Sequence, residues 1–328
     1  MNLTSFYVTV LSLLFMMCVG FLARKAGIIT DGASKGLSTI VIKIGQPFMI
    51  IGAMLGVEFS EENIKYGFSV ILMSFIAHTV FAIVAHFTVF KNKNIDEKKI
   101  LEYSLVFANC GFIGFPLIQS FLGEEGLFLA SFYLVSFNIF TWTWGMMILG
   151  RGRDDIKVSP KSMLLNYGTV PSVIGLILYL SRASELIERV ELLSSITQGI
   201  SYLGGLCTPI SMVITGALIA TVTPKELFLN PKIYVNCVVK LIIIPAIITV
   251  LAYLLGLSPF FIVFLAILSA MPTGSSVVMF AEMYEISKKN AAVVAGLSAI
   301  LSMLTLPILG AVLNELFYVS GVQSIFRF

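Results

Sequence analysis

A chain of 328 residues that is 58% hydrophobic and 12% charged cannot enclose its apolar surface in one water-soluble core, because soluble domains run near ~45–50% apolar and ~25% charged. The formal net charge of +3 decides little, since charge placement matters more than charge sum in a lipid-embedded chain. No nucleic-acid partner is expected; the bilayer is. Met1 to Ala23, Tyr66 to Phe90, Gly126 to Gly150, Leu192 to Pro224 and Leu241 to Ala281 contain no Asp, Glu, Lys or Arg. Each is long enough to cross hydrocarbon ~30 Å thick, which takes about 20 helical residues. The ten-residue alternation of a membrane β-barrel does not occur.

Taken in chain order, the apolar runs predict spans near 3–23, 36–57, 66–90, 100–122 and 126–150, then 162–181, 197–220, 231–255, 259–284 and 290–314. The first has no basic residues ahead of it and Arg24 and Lys25 just behind, so it is expected to be retained rather than cleaved as a signal. Gly256, Ser258 and Pro259 divide the longest uncharged run into two spans. The four cysteines (Cys18, Cys110, Cys207, Cys237) lie in apolar segments without CxxC spacing, which supports neither disulfides nor zinc.

Placing the N-terminus outside puts 15 basic residues in the inner loops: Arg24, Lys25, Lys35, Lys91, Lys93, Lys98, Lys99, Arg151, Arg153, Lys157, Lys161, Lys225, Lys232, Lys288 and Lys289. The outer side keeps 4, Lys65, Arg182, Arg189 and Arg327. Lys and Arg favour the cytoplasmic face, so both termini are expected to be extracytoplasmic, in the cytoplasmic membrane.

Sliding the sequence by 163 positions aligns Gly36 with Gly199, Ser38 with Ser201, Met49 with Met212, Leu105 with Leu268 and Gly111 with Gly274. The expected organisation is a five-helix repeat over 1–150, a short cytoplasmic connector over 151–161 and a second repeat over 162–328. An odd number of spans per unit inverts the second copy, which is the inverted-repeat plan of secondary transporters. The expected fold class is therefore an all-α polytopic membrane protein of ten helices.

The fourth and ninth spans carry helix breakers at membrane depth. In Asn109, Cys110, Gly111, Phe112, Ile113, Gly114, Phe115, Pro116, the proline offers no N–H and leaves the Phe112 carbonyl without its helical partner. In Met271, Pro272, Thr273, Gly274, Ser275, Ser276, Pro272 does the same to Leu268. Interrupted backbone is tolerated in a bilayer only where protein, water or ligand covers it. Facing half-helix N-termini favour an anion, and Asn109, Thr273, Ser275 and Ser276 offer neutral hydrogen bonds. The competing reading is a pair of kinked helices whose small residues permit close packing. Gln46, Pro47 and Thr208, Pro209 are expected to kink the second and seventh spans, either beside the crossing or as ordinary transmembrane prolines.

Asn109 to Pro116 followed by Gly123, Glu124, Glu125, Gly126 and Leu127, together with Met271, Pro272, Thr273 and Ala281, Glu282, Met283, Tyr284, resemble the signatures of the auxin efflux carrier family. The resemblance covers essentially the whole chain. It implies a fold similar to plant PIN proteins and bile-acid sodium symporters, with spans 1, 2, 6 and 7 as scaffold, an elevator-like transport domain and a homodimer. The chain lacks the large hydrophilic central loop of long PIN proteins and is similar to the short bacterial members, often labelled malate or malonate permeases. A small organic acid is thus a better expectation than auxin. The crossing residues carried over are Asn109, Gly111, Gly114, Pro116, Pro272 and Thr273; Cys110, Gly274, Ser275 and Ser276 join them as substrate-binding candidates by position.

Charges within spans are costly and are functional candidates by default. Lys43 either attracts an anion or snorkels to the interface. Lys240 either acts within the membrane or bonds a neighbouring helix. Glu282 either reaches the headgroups or serves gating or proton binding, and His78 either carries a proton or joins two helices. The sum is a carrier of small organic anions, outward by preference, with no cofactor and with H+ or Na+ as possible coupling ions. Coupled uptake of a carboxylate and a ligand sensor are the alternatives. Metalloprotease, nucleophile-elbow and nucleotide-loop motifs do not occur, so no enzyme is expected.

Overall fold

The computed structural model describes residues 3–153, 165–189, 191–223, 225 and 230–318. The expected connector falls largely outside them, as do Lys157, Lys161 and Arg327. Every regular element among the described residues is helical. In the first half these are α1 (Leu3–Lys25), α2 (Asp31–Ile40), α3 (Gln46–Leu55), α4 (Glu61–Val89), α5 (Ile95–Val106), α6 (Gly114–Phe140) and α7 (Met146–Leu149). The second half contains α8 (Thr169–Leu180), α9 (Ala183–Arg189), α10 (Glu191–Gly205), α11 (Cys207–Ile219), α12 (Pro231–Val238), α13 (Ile244–Leu254), α14 (Pro259–Ser269), α15 (Ser276–Met283) and α16 (Lys288–Tyr318). Single π-helical turns at Val41–Gly45, Thr141–Gly145 and Val239–Ile243 join α2 to α3, α6 to α7 and α12 to α13.

Seven helical segments of the described residues are long and apolar enough to cross a membrane: Leu3–Lys25, Asp31–Leu55, Glu61–Val89, Gly114–Leu149, Ser194–Ile219, Pro231–Leu254 and Lys288–Phe317. Two shorter apolar helices, Thr169–Leu180 and Pro259–Ser269, stand where the sixth and ninth spans are expected. The helix that carries the fourth expected span begins at Ile95, ahead of the apolar run that starts near residue 100. Its first turn is polar, yet it is helical because the Asn94 side chain accepts from the Glu97 N–H at 3.0 Å and Glu97 pairs with Lys232 at 2.6 Å. The span's second part is the start of α6, which leaves helical geometry at Gly123 (φ 76°).

Two of the π turns lie just before prolines. Pro47 and Pro245 cannot donate, and the N–H groups of Gln46 and Ile244 reach back five residues, to the carbonyls of Val41 and Val239. The seventh span is interrupted at Leu206, three residues before Pro209. Helices α1 and α11 pack against one another, as do α3 with α8 and α10, whereas α4 packs on α5 and α6. The α1–α11 pair is held close by glycines on both sides. A Cβ on Gly20 would stand 2.0 Å from the Val213 carbonyl oxygen, and one on Gly216 1.9 Å from that of Met17. Such backbone proximity is how apolar helices associate in lipid, where no hydrophobic gradient drives them together.

Candidate functional site

Both expected breaks are present, and they meet. After α5 ends at Val106 and α14 at Ser269, the two chains pass as a single antiparallel bridge between Ala108 and Thr273. The Asn109 N–H donates to the Pro272 carbonyl at 2.8 Å, and the Gly274 N–H to the Phe107 carbonyl at 2.9 Å. Gly274 sits close to the partner segment: a Cβ there would lie 3.2 Å from the Ala108 oxygen and 3.3 Å from that of Phe107.

At the end of α5 one carbonyl keeps its helical bond and the next two are taken up by side chains. Tyr103 receives the Phe107 N–H at 3.0 Å, Ser104 the Thr273 hydroxyl at 3.3 Å, and Leu105 the Lys240 ammonium at 3.0 Å. Leu105 would bond Asn109 in a continuous helix, but that N–H is diverted across the bridge. The Phe112 carbonyl freed by Pro116 accepts from Thr208 Oγ1 at 3.0 Å, so the seventh span seals the break in the fourth. Within the crossing, Thr273 N–H donates to Ser298 Oγ at 3.1 Å. Asn109 Nδ2 donates to Ser275 Oγ at 3.3 Å, and that hydroxyl lies 3.2 Å from Thr215 Oγ1.

Two cavities adjoin the crossing. The inner one, of about 50 Å³, is lined by Gln46, Met49, Asn109, Gly111, Ser275 and Ser276 among others. It lies at the amino ends of α6 and α15, toward which the helix dipoles are positive, while the N–H groups of Ile113, Gly114, Phe115 and Val277 are bonded to the carbonyls of Asn109, Gly111 and Gly274. The larger, about 420 Å³, runs between α3, α10 and the start of α6, past Gly52, Pro116, Gln119, Glu124, Gly204 and Thr208. Cys110, Gly114, Pro272 and Thr273 shape the crossing from behind and line neither cavity. Met49, Phe112, Leu134 and Phe137 line the inner cavity although their apolar identity gave no signal in the sequence.

The remaining candidates are dispersed. Lys43 is exposed, its ammonium 5.6 Å from the Tyr167 ring centre, and with Pro47 it lines neither cavity. Pro209 is exposed on α11. His78 is buried, Nδ1 2.7 Å from the Ser74 carbonyl oxygen of its own helix, and its ring packs among Phe81, Tyr133, Phe137 and Phe140, so that it meets α6 through ring contacts and not through a hydrogen bond. Glu282 lies in α15, and its side chain is outside what the structure describes.

Lys240 ends a polar row along the eighth span. Lys232 pairs with Glu97 at 2.6 Å, Asn236 Nδ2 donates to the Leu101 carbonyl at 3.0 Å, and Lys240 follows on Leu105, each partner 135 positions earlier. Asn236 Oδ1 also accepts from Ser104 Oγ at 3.0 Å. Fully buried Glu102, not singled out in the sequence, is held by the Arg151 guanidinium through two bonds. No group of three or more His, Cys, Asp or Glu side chains suited to a metal occurs among the described residues.

A sequence profile for a family described as "Membrane transport protein" matches residues 5–309. The chain is 24% identical over 311 residues to an uncharacterized transporter of Methanocaldococcus jannaschii, covering 93% of this chain and 97% of the relative. It is 25% identical over 142 residues to an uncharacterized transporter of Methanothermobacter thermautotrophicus, covering 43% of this chain and 46% of that protein.

Proposed function

The chain belongs to the membrane transport protein family, the auxin efflux carriers and malate permease-like proteins, and is an integral membrane transporter; from that premise we propose that its cargo is a small organic anion, a mono- or dicarboxylate. The observation that carries this reading is the bridge of two broken helices beside a cavity lined by Asn109, Ser275 and Ser276. Two helix amino ends and neutral hydrogen-bond donors are what a carboxylate needs in a low-dielectric site, where a cation would be repelled.

In this reading the ten spans form two inverted five-helix units with both termini extracytoplasmic, and the protein works in the cytoplasmic membrane as a homodimer. The scaffold is spans 1, 2, 6 and 7, a grouping supported by the packing of α1 on α11 and of α3 on α8 and α10. A crossing cavity of about 50 Å³ holds roughly one or two waters. Cargo therefore enters when the crossing moves against the scaffold and widens, an elevator-like step from the 420 Å³ vestibule. An inside-negative potential of 100 mV favours exit of each negative charge by about 2.3 kcal/mol, or about 4.6 kcal/mol for a divalent acid, so efflux needs no coupling ion.

The test is counterflow of labelled malate and malonate in proteoliposomes. Wild type is expected to show saturable exchange, and Asn109→Ala and Ser275→Ala to lose at least tenfold while remaining folded. Undiminished exchange in both variants would remove the crossing as the site, and unsaturable flux would replace a carrier with a pore.

A further inference from the structure

Lys240 is completely buried, and its ammonium rests on the Leu105 carbonyl at 3.0 Å and over the Phe81 ring at 5.3 Å from its centre. No carboxylate among the described residues forms an ion pair with it; the titratable groups within reach of its field are Cys110 and His78. An ammonium taken out of water without a counter-ion is costly and needs a reason to persist. The reason lies in what it touches. The carboxyl end of a helix carries about half a negative charge, and α5 ends in the buried interior with a carbonyl whose helical N–H has been diverted to Pro272. In transporters built on discontinuous helices, such carboxyl ends and unwound carbonyls are where a coupling sodium ion or proton binds.

We propose that Lys240 is a resident cation. Its ammonium occupies the cation position at the carboxyl end of α5, fixes the orientation of Asn109 through the bridge, and makes sodium superfluous at that end. While Lys240 is protonated the crossing carries a positive charge, and an anion is then the charged species it exchanges with either side. Lys240 acts here as a positioning residue; its consequence for transport rests on the proposed carrier function, whereas the occupancy of the cation position does not.

The test uses the full chain in detergent and follows the thermal midpoint in NaCl, ethylammonium chloride and choline chloride at equal ionic strength. Wild type and Lys240→Arg are expected to unfold within about 1 °C of the same temperature in all three salts, because the position is already filled. Lys240→Ala is expected to unfold at a lower temperature in choline and to recover by about 3 °C or more in sodium or ethylammonium, either of which fits the vacated position. A sodium-dependent rise in the wild-type midpoint overturns the proposal without any variant. So does a Lys240→Ala protein that responds to neither small cation, whatever its own midpoint. If wild type moves no carboxylate in liposomes while these salt responses hold, the carrier reading fails and the resident cation stands.

Discussion

Replacing Gly274 with alanine strains the crossing where it is tightest. The added Cβ would lie 3.2 Å from the Ala108 carbonyl oxygen, 3.3 Å from that of Phe107 and 3.1 Å from Ser276 Oγ. The hydroxyl can rotate away, but the two main-chain oxygens cannot. Relief requires the extended segments to separate, which lengthens the bonds from Gly274 N–H to Phe107 and from Asn109 N–H to Pro272. Overpacking of this kind costs about 1–3 kcal/mol, and weakening one or two buried hydrogen bonds adds about 1 kcal/mol each. The expected loss is therefore about 2–5 kcal/mol, or a midpoint lower by roughly 4–10 °C at about 2 °C per kcal/mol for a large chain. A thiol-reactive dye suits the measurement, since Cys110, Cys207 and Cys237 are buried and become reactive on unfolding. Gly199→Ala is the control, because a Cβ there meets nothing within 4 Å and a helical Gly-to-Ala change gains up to about 1 kcal/mol. A Gly274→Ala protein as stable as wild type would refute the close approach of the two segments.

Thr208→Val should cost about 1–3 kcal/mol by leaving the Phe112 carbonyl unpaired, and Thr208→Ser should restore the midpoint; equal stability of the valine and serine variants would remove Thr208 as the cap. Gly216→Ala should destabilise by about 3 kcal/mol or more, since the helix carrying the Met17 carbonyl must move as a unit; normal yield and midpoint in detergent would contradict the α1–α11 packing. At Glu97, burial pushes the carboxyl up, but Lys232, Asn92 and Asn230 outweigh it and hold the group below its ordinary 4.5. A depressed folded value means the pair's stabilisation is complete above 4.5 and is lost as pH falls through the lower folded value. Glu97→Gln should thus flatten the fall of the midpoint in acid, and an unchanged acid limb would show that this pair contributes nothing.

The helix breaks were legible because their cause is local: Pro116 and Pro272 lack N–H groups wherever they stand, and glycines beside them weaken any helix. What fills the broken positions was not legible, because it is set by contacts across more than a hundred residues. Unwound backbone at Asn109 and Gly274 reads in sequence as polarity offered to cargo, whereas much of it is spent on the partner strand, with Thr208 and Lys240 covering two of the carbonyls. The charged run Asp96, Glu97, Lys98, Lys99 sets the expected onset of the fourth span near residue 100, although the helix itself starts earlier. The pairing of Asp96 with Lys99, of Glu97 with Lys232 and of Glu102 with Arg151 lets the helix begin at Ile95. Lys43 and Lys240 each lie in a π turn just before a proline, yet one faces Tyr167 at the exposed edge and the other is enclosed. Sequence position alone could not separate them.

The common separation of 135 residues along Glu97–Lys232, Leu101–Asn236 and Leu105–Lys240 works like the teeth of a rack. Sliding one helix past the other by a single turn, about 5.4 Å, disengages every tooth together. Displacement of the half-helix must consequently drag the helix of Pro231–Leu254 along with it.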